Sequence, residues 1–159
     1  MPLLELTLPE GSLPADAVDR LADGLTEALL RAEGAPDNEL FRSIAWLDVH
    51  WVPAANAYQG GKRAAQPRFR VNVTVPEGAL TERRKGMLVE EATRLVLEAA
   101  GEDPADAGAL MRVWVMIGEV RDGNWGGGGR VVRFADLKGL VDAGADAPSD
   151  IPVEVPAAG

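Results

Sequence analysis

The chain contains no cysteine among its 159 residues, which excludes disulfides, thiolate nucleophiles and thiolate metal sites. Its single histidine, His50, argues against a multi-histidine metal site and leaves little basis for a Ser-His-Asp triad. No apolar run approaches the ~18 residues that a membrane-spanning helix needs. No basic, apolar, small-residue leader opens the sequence, so nothing points to export. Positive charge is scarce, with 16 basic against 25 acidic residues and a net charge of −9. That opposes non-specific nucleic-acid binding, which depends on cationic surface neutralising phosphate. What is present is 47% hydrophobic, enough for one domain or for two small halves sharing a core. The expectation is a cytoplasmic protein without cofactor, acting on a small molecule, with no nucleic-acid or membrane partner.

The second residue is Pro2, followed at once by the strand-like run Leu3 to Leu8. A small side chain in that position favours removal of Met1, which would leave a proline whose nitrogen is a secondary amine. Burial disfavours the ammonium form of such a group and lowers its pKa toward neutrality, yielding a free base or nucleophile. A proline at position 2 can equally be incidental.

An internal repeat is visible at an offset of 67 residues. Pro9-Glu10-Gly11 recurs as Pro76-Glu77-Gly78, and the same offset pairs Leu13 with Leu80, Leu21 with Leu88, Thr26 with Thr93 and Gly34 with Gly101. With one residue inserted, Asn56 pairs with Asn124 and Gly60-Gly61 with Gly128-Gly129. The boundaries fall at residues 1–66 and 67–135, with residues 136–159 expected as a flexible acidic tail.

Each copy reads as strand, helix, strand, hairpin. Leu4, Leu6 and Leu8 alternate with Glu5 and Thr7, as Phe69, Val71, Val73 and Val75 do with Arg70, Asn72 and Thr74. That is the period of a half-buried strand. Val18, Leu21, Ala22, Leu25, Ala28 and Leu29 follow at helical spacing, as do Leu88, Ala92, Leu95, Val96 and Ala99 in the second copy. Gly34 and Gly101 stand where a helix C-terminal glycine belongs. Second strands are expected at about Ser43 to Val52 and Met111 to Val120, each leading to a glycine-rich hairpin. A strand-helix-strand connection implies parallel pairing within each copy. The predicted fold is therefore α+β: tandem β-α-β repeats forming a four-stranded sheet with both helices on one face. The uncovered face needs a partner. Trp46, Trp51, Trp114 and Trp125 lie in or beside the second strands, either as core or packed against neighbouring chains. A homotrimer whose sheets face a shared interior is favoured.

These residues resemble the tautomerase superfamily, whose members use an amino-terminal proline on a β-α-β unit. The resemblance is carried by Pro2 with its strand, by both Pro-Glu-Gly turns, by the Trp-Val-Met-Ile-Gly-Glu run at 114–119, and by the hairpin from Asp122 to Gly129. The second copy, from about Phe69 to Arg130, looks like a single 4-oxalocrotonate tautomerase unit. The fused length and the run Val52-Pro53-Ala54-Ala55-Asn56 are more similar to cis-3-chloroacrylic acid dehalogenase and its relatives.

The resemblance implies that Pro2 is the catalytic base or acid, that Trp125 lines the pocket and that Glu119 activates water. Trp125 could equally pack the hairpin, and Glu119 could be a solvated strand end. Phe69, the counterpart of Pro2, sits mid-chain and offers no amine, so one such site per chain is expected. The carboxylate-gripping arginines of the family are replaced by Ser12 in the first copy and by Pro76 and Ala79 in the second. Leu29 stands where the dehalogenases place a histidine. Arg112 and Arg130 are the candidate replacements for substrate binding, and Arg133 is read as surface charge. Two readings stay open. One is a tautomerase-like isomerase acting on a small enol, keto or unsaturated acid, with lyase-type hydration or dehalogenation disfavoured. The other is a non-catalytic scaffold or binding module of the same fold.

Overall fold

In a computed structural model of the chain, residues 2–144 are described. The chain runs β1 (Leu3–Pro9), α1 (Ala15–Glu33), α2 (Glu39–Ile44) and β2 (Trp46–Val52), then a short ribbon of β3 (Tyr58–Gln59) and β4 (Lys62–Arg63). The second half repeats the pattern with β5 (Phe69–Pro76), α3 (Glu82–Ala99), α4 (Ala107–Leu110) and β6 (Val113–Val120). A second ribbon, β7 (Trp125–Gly127) and β8 (Arg130–Val132), leads into a last helix, α5 (Phe134–Gly144).

The main sheet has the order β2-β1-β5-β6. β1 pairs parallel with β2, and β5 parallel with β6, as expected for strands joined through a helix. The two halves meet where β1 and β5 pair antiparallel, with Glu5 opposite Asn72. Alternation along the central strands decides which side is dry. Leu4, Leu6 and Leu8, with Val71, Val73 and Val75, are all almost fully buried. Each such side chain removed from water stabilises the fold by roughly 1.5–3 kcal/mol. Val18, Leu21, Leu25 and Leu29 of α1, with Leu88, Ala92 and Val96 of α3, join them in one continuous core. α1 and α3 pack side by side, with Gly24 facing Leu95.

Local signals set the element ends. Gly34 takes φ +73°, and its N–H together with that of Ala35 closes the last turn of α1. Gly60-Gly61 and Gly128-Gly129 both turn their ribbons with positive φ at each glycine, the pattern of a two-residue type I′ hairpin.

Two expectations need correction. Ser43 and Ile44 do not begin β2; they close α2, whose first turn is capped by the Asn38 side chain accepting from the Phe41 N–H at 3.1 Å. That cap gives the segment a better local solution than an extended one. Residues 136–144, expected within a flexible tail, form most of α5. Phe134, Leu137 and Val141 fall on one face of that helix and are half-buried, so the segment has an apolar stripe to bury. The remainder of the expected tail, residues 145–159, lies outside the described residues.

The other face of the sheet is bare. Trp46 and Trp114 are 69% and 64% exposed, and Met116 is also exposed. Trp51 lies in register with the buried Leu8, yet on the edge strand it too is largely exposed. Those tryptophans are not core residues of the single chain.

Candidate functional site

The topology gathers four chain segments at one end of the sheet. β1 leaves from Pro2, and α1 returns to that end, bringing its last residue Glu33. β5 runs antiparallel to β1, so its end at Pro76 lies beside the start of β1, and α3 sets off from the same place. Residues distant in sequence, at positions 2, 33, 76 and 84, therefore share one cavity of about 290 Å³. Phe41 and Ile44 of α2 wall it, and α5 covers it with Phe134, Leu137 and Val141. Lys138 and Asp142 of α5 stand at the rim.

Pro2 is buried, and its carbonyl accepts from the Trp46 N–H at 3.1 Å, which fixes it to the edge strand. Gly78, at φ +85°, turns the chain out of β5 beside Phe134. Thr81 caps α3 by accepting from the Arg84 N–H at 3.3 Å. The Arg84 guanidinium reaches back to donate to the Glu33 carbonyl at 3.4 Å, at the negative end of the α1 dipole. Space for it exists because residue 34 is glycine: a Cβ there would stand 3.2 Å from Arg84 Nη2. Burial pushes the Glu33 carboxyl up to about 7, with the positive amino terminus pulling it the other way. α5 is anchored where the Phe134 N–H donates to Asp122 Oδ1 at 2.9 Å, and Arg133 pairs with Asp122 at 3.5 Å. Among the described residues no cluster of three or more His, Asp or Glu side chains is placed to hold a metal.

Of the five side chains expected at the site, only Pro2 lines this cavity. Glu119 lies at the same end of the sheet, but β5 stands between, since Val75 is its neighbour in register. Two strand spacings put it roughly 10 Å from the start of β1. Its carboxylate pairs with Lys85 at 3.4 Å. Arg112 lies at the opposite end of the sheet, next to Phe69, roughly 20 Å along the strands. There it pairs with Glu102 at 2.9 Å and donates to the Pro67 carbonyl. Trp125 and Arg130 belong to the second ribbon, opposite Val132 and Gly127, and neither lines the Pro2 cavity within the chain. His50 contacts Glu5 at 3.3 Å on the bare face. Glu33, Arg84 and Lys138 were not singled out from the sequence. The signal for Glu33 was present, since a β-α-β unit returns its helix end to the start of its first strand, whereas Arg84 comes there only through the pairing of β1 with β5.

Residues 70–135 match the family model described as "Tautomerase enzyme". By that match the second repeat carries a tautomerase domain. A wild-type fused 4-OT solved as an asymmetric trimer is similar at 25% identity over 86% of this chain and 98% of its own, with a TM-score of 0.65. A member of the cis-3-chloroacrylic acid dehalogenase family matches at 18% identity over 92% of both chains, TM-score 0.69. Pt0534, solved after inactivation by 2-oxo-3-pentynoate, matches at 19% identity over 85% of this chain and 98% of its own, TM-score 0.68. No curated protein sequence matches significantly. The tautomerase match falls on the second repeat, whereas Pro2 heads the first.

Proposed function

We propose that this protein is a tautomerase-superfamily enzyme whose amino-terminal Pro2, freed by removal of Met1, acts as the general base on a small enol, keto or unsaturated carboxylic acid. One observation carries the reading: Pro2 is buried against a cavity of about 290 Å³, large enough for a small organic acid. A secondary amine placed there is desolvated, which favours its neutral, basic form at physiological pH. The family's carboxylate-binding arginines are absent at Ser12, Pro76 and Ala79, and Arg84 offers a guanidinium from α3 instead. Phe41, Ile44, Phe134, Leu137 and Val141 give the cavity a largely apolar wall, which lowers the local dielectric and strengthens that contact.

A homotrimer in the cytoplasm completes the reading. The fused 4-OT relative is a trimer, and Trp46, Trp114 and Met116 stand exposed on a sheet face, among Glu5, His50 and Arg70, that three copies could cover. Among the described residues, no helix is long and apolar enough to cross a membrane. The missing family arginines favour the second reading, a non-catalytic module of the same fold.

The decisive experiment combines mass and reactivity. Intact mass should show loss of Met1. 2-Oxo-3-pentynoate, whose conjugated alkyne accepts a neutral amine, should add once per chain, at Pro2. Pro2→Ala should lower enol-keto turnover of phenylenolpyruvate by 10²-fold or more. Retained Met1, or equal turnover in the two proteins, overturns the catalytic reading.

A further inference from the structure

Pro2 is not the only group in the cavity able to exchange a proton. Glu33 ends α1 and lines the same space, and among the described residues only its backbone carbonyl is engaged, by Arg84. Glu33 is half-buried and shares its cavity with Phe41, Ile44, Phe134 and Leu137. The charged groups facing it are the amino terminus ahead of β1, Arg84 on α3, and Lys138 and Asp142 on α5. α2 contributes no charge to this wall.

We infer that Glu33 is the second proton-transfer group of the site, paired with Pro2 across the bound substrate. This builds on Pro2 serving as base. In ketonisation of an enol, the Pro2 nitrogen takes the O–H proton and the O–H pair becomes the C=O bond. The C=C pair then captures the proton of the Glu33 carboxyl, forming C–H and leaving a carboxylate. The Pro2 ammonium returns its proton to that carboxylate directly or through water, so one proton has moved from oxygen to carbon. Desolvation keeps a useful fraction of Glu33 protonated near neutrality, which is the requirement for an acid at working pH. The two groups must titrate as a pair, each charge favouring the other.

That coupling supplies a readout independent of turnover. The rate of Pro2 alkylation by 2-oxo-3-pentynoate, followed against pH, reports the midpoint of the amine. Glu33→Gln removes a negative neighbour, so the midpoint should fall by roughly one pH unit or more, while Glu98→Gln on the exposed face of α3 should leave it unchanged. Turnover by Glu33→Gln should drop on the order of 10²-fold, with Glu33→Asp intermediate. Carboxyl carbon NMR of the unsubstituted protein should show Glu33 titrating well above an ordinary glutamate, which needs no variant to fold. An unmoved alkylation midpoint together with unchanged turnover in Glu33→Gln overturns the role of Glu33 and leaves Pro2 as base. If Pro2→Ala retains full turnover while the alkylation midpoint still moves, the catalytic reading fails and the coupling stands.

Discussion

At the scale of single residues, Glu33 makes the fold sensitive to pH in a direction opposite to that of a salt-bridged carboxylate. Its folded carboxyl titrates at about 7, against 4.5 for the unperturbed group. Between those values the native state holds a proton that the unfolded chain has released. Stability is therefore fully present below about 4.5 and declines as pH rises through 7. Glu33→Gln, which cannot ionise, should show no such decline. We expect the melting temperature of the variant to overtake that of the parent between pH 5 and 8, measured in parallel thermal scans. A constant offset across that range would mean that Glu33 titrates like a solvated glutamate. Arg84 shows the same economy of placement, since one guanidinium closes a helix end and faces the cavity.

At the scale of elements, the end of α1 holds both of those residues in position. Gly34 has φ +73°, and a Cβ there would press on the Arg84 guanidinium at 3.2 Å. Gly34→Ala should cost about 1–2 kcal/mol from the left-handed backbone alone, read as a lower denaturant midpoint at unchanged slope. Displacement of Arg84 should also raise KM for a carboxylate substrate more than it lowers kcat. α5 is the element that sequence reasoning underestimated. Its apolar stripe at Phe134, Leu137 and Val141 is only three residues wide and precedes an Ala-, Pro- and Asp-rich stretch, so composition read it as tail. What makes it a helix with a place to go is the Pro2 cavity, which gives that stripe something to cover.

At the scale of the molecule, the bare sheet face is the main unpartnered feature of the described residues. Trp46 and Trp114 project from opposite edge strands of that face, and together they frame its full width. Under the trimer reading, Trp114→Asp should shift the protein from trimer toward monomer in sedimentation velocity. Loss of the indole removes apolar area that would be buried between copies, and a carboxylate there must be desolvated even with Arg70 opposite it in register. Unchanged sedimentation would exclude that face from the assembly. Tryptophan emission offers a second check, since burial of indoles on assembly should shift it to shorter wavelength.

The repeat at an offset of 67 residues, the alternation in β1 and β5, and the paired glycines at both ribbons were legible because each is a local rule. Strand period, helix period and positive φ depend on neighbours in sequence, and they determined the doubled β-α-β sheet with both helices on one side. The place of Pro2 at the head of β1 was legible for the same reason, since it is a matter of position in the chain. What only the tertiary structure decided was the company Pro2 keeps. Glu119 and Arg112 lie on the expected strands, but register puts one strand or the length of the sheet between them and Pro2. Arg84 meets Glu33 and Pro2 because antiparallel pairing of β1 with β5 brings the start of α3 to the end of α1, a long-range contact that no local period encodes.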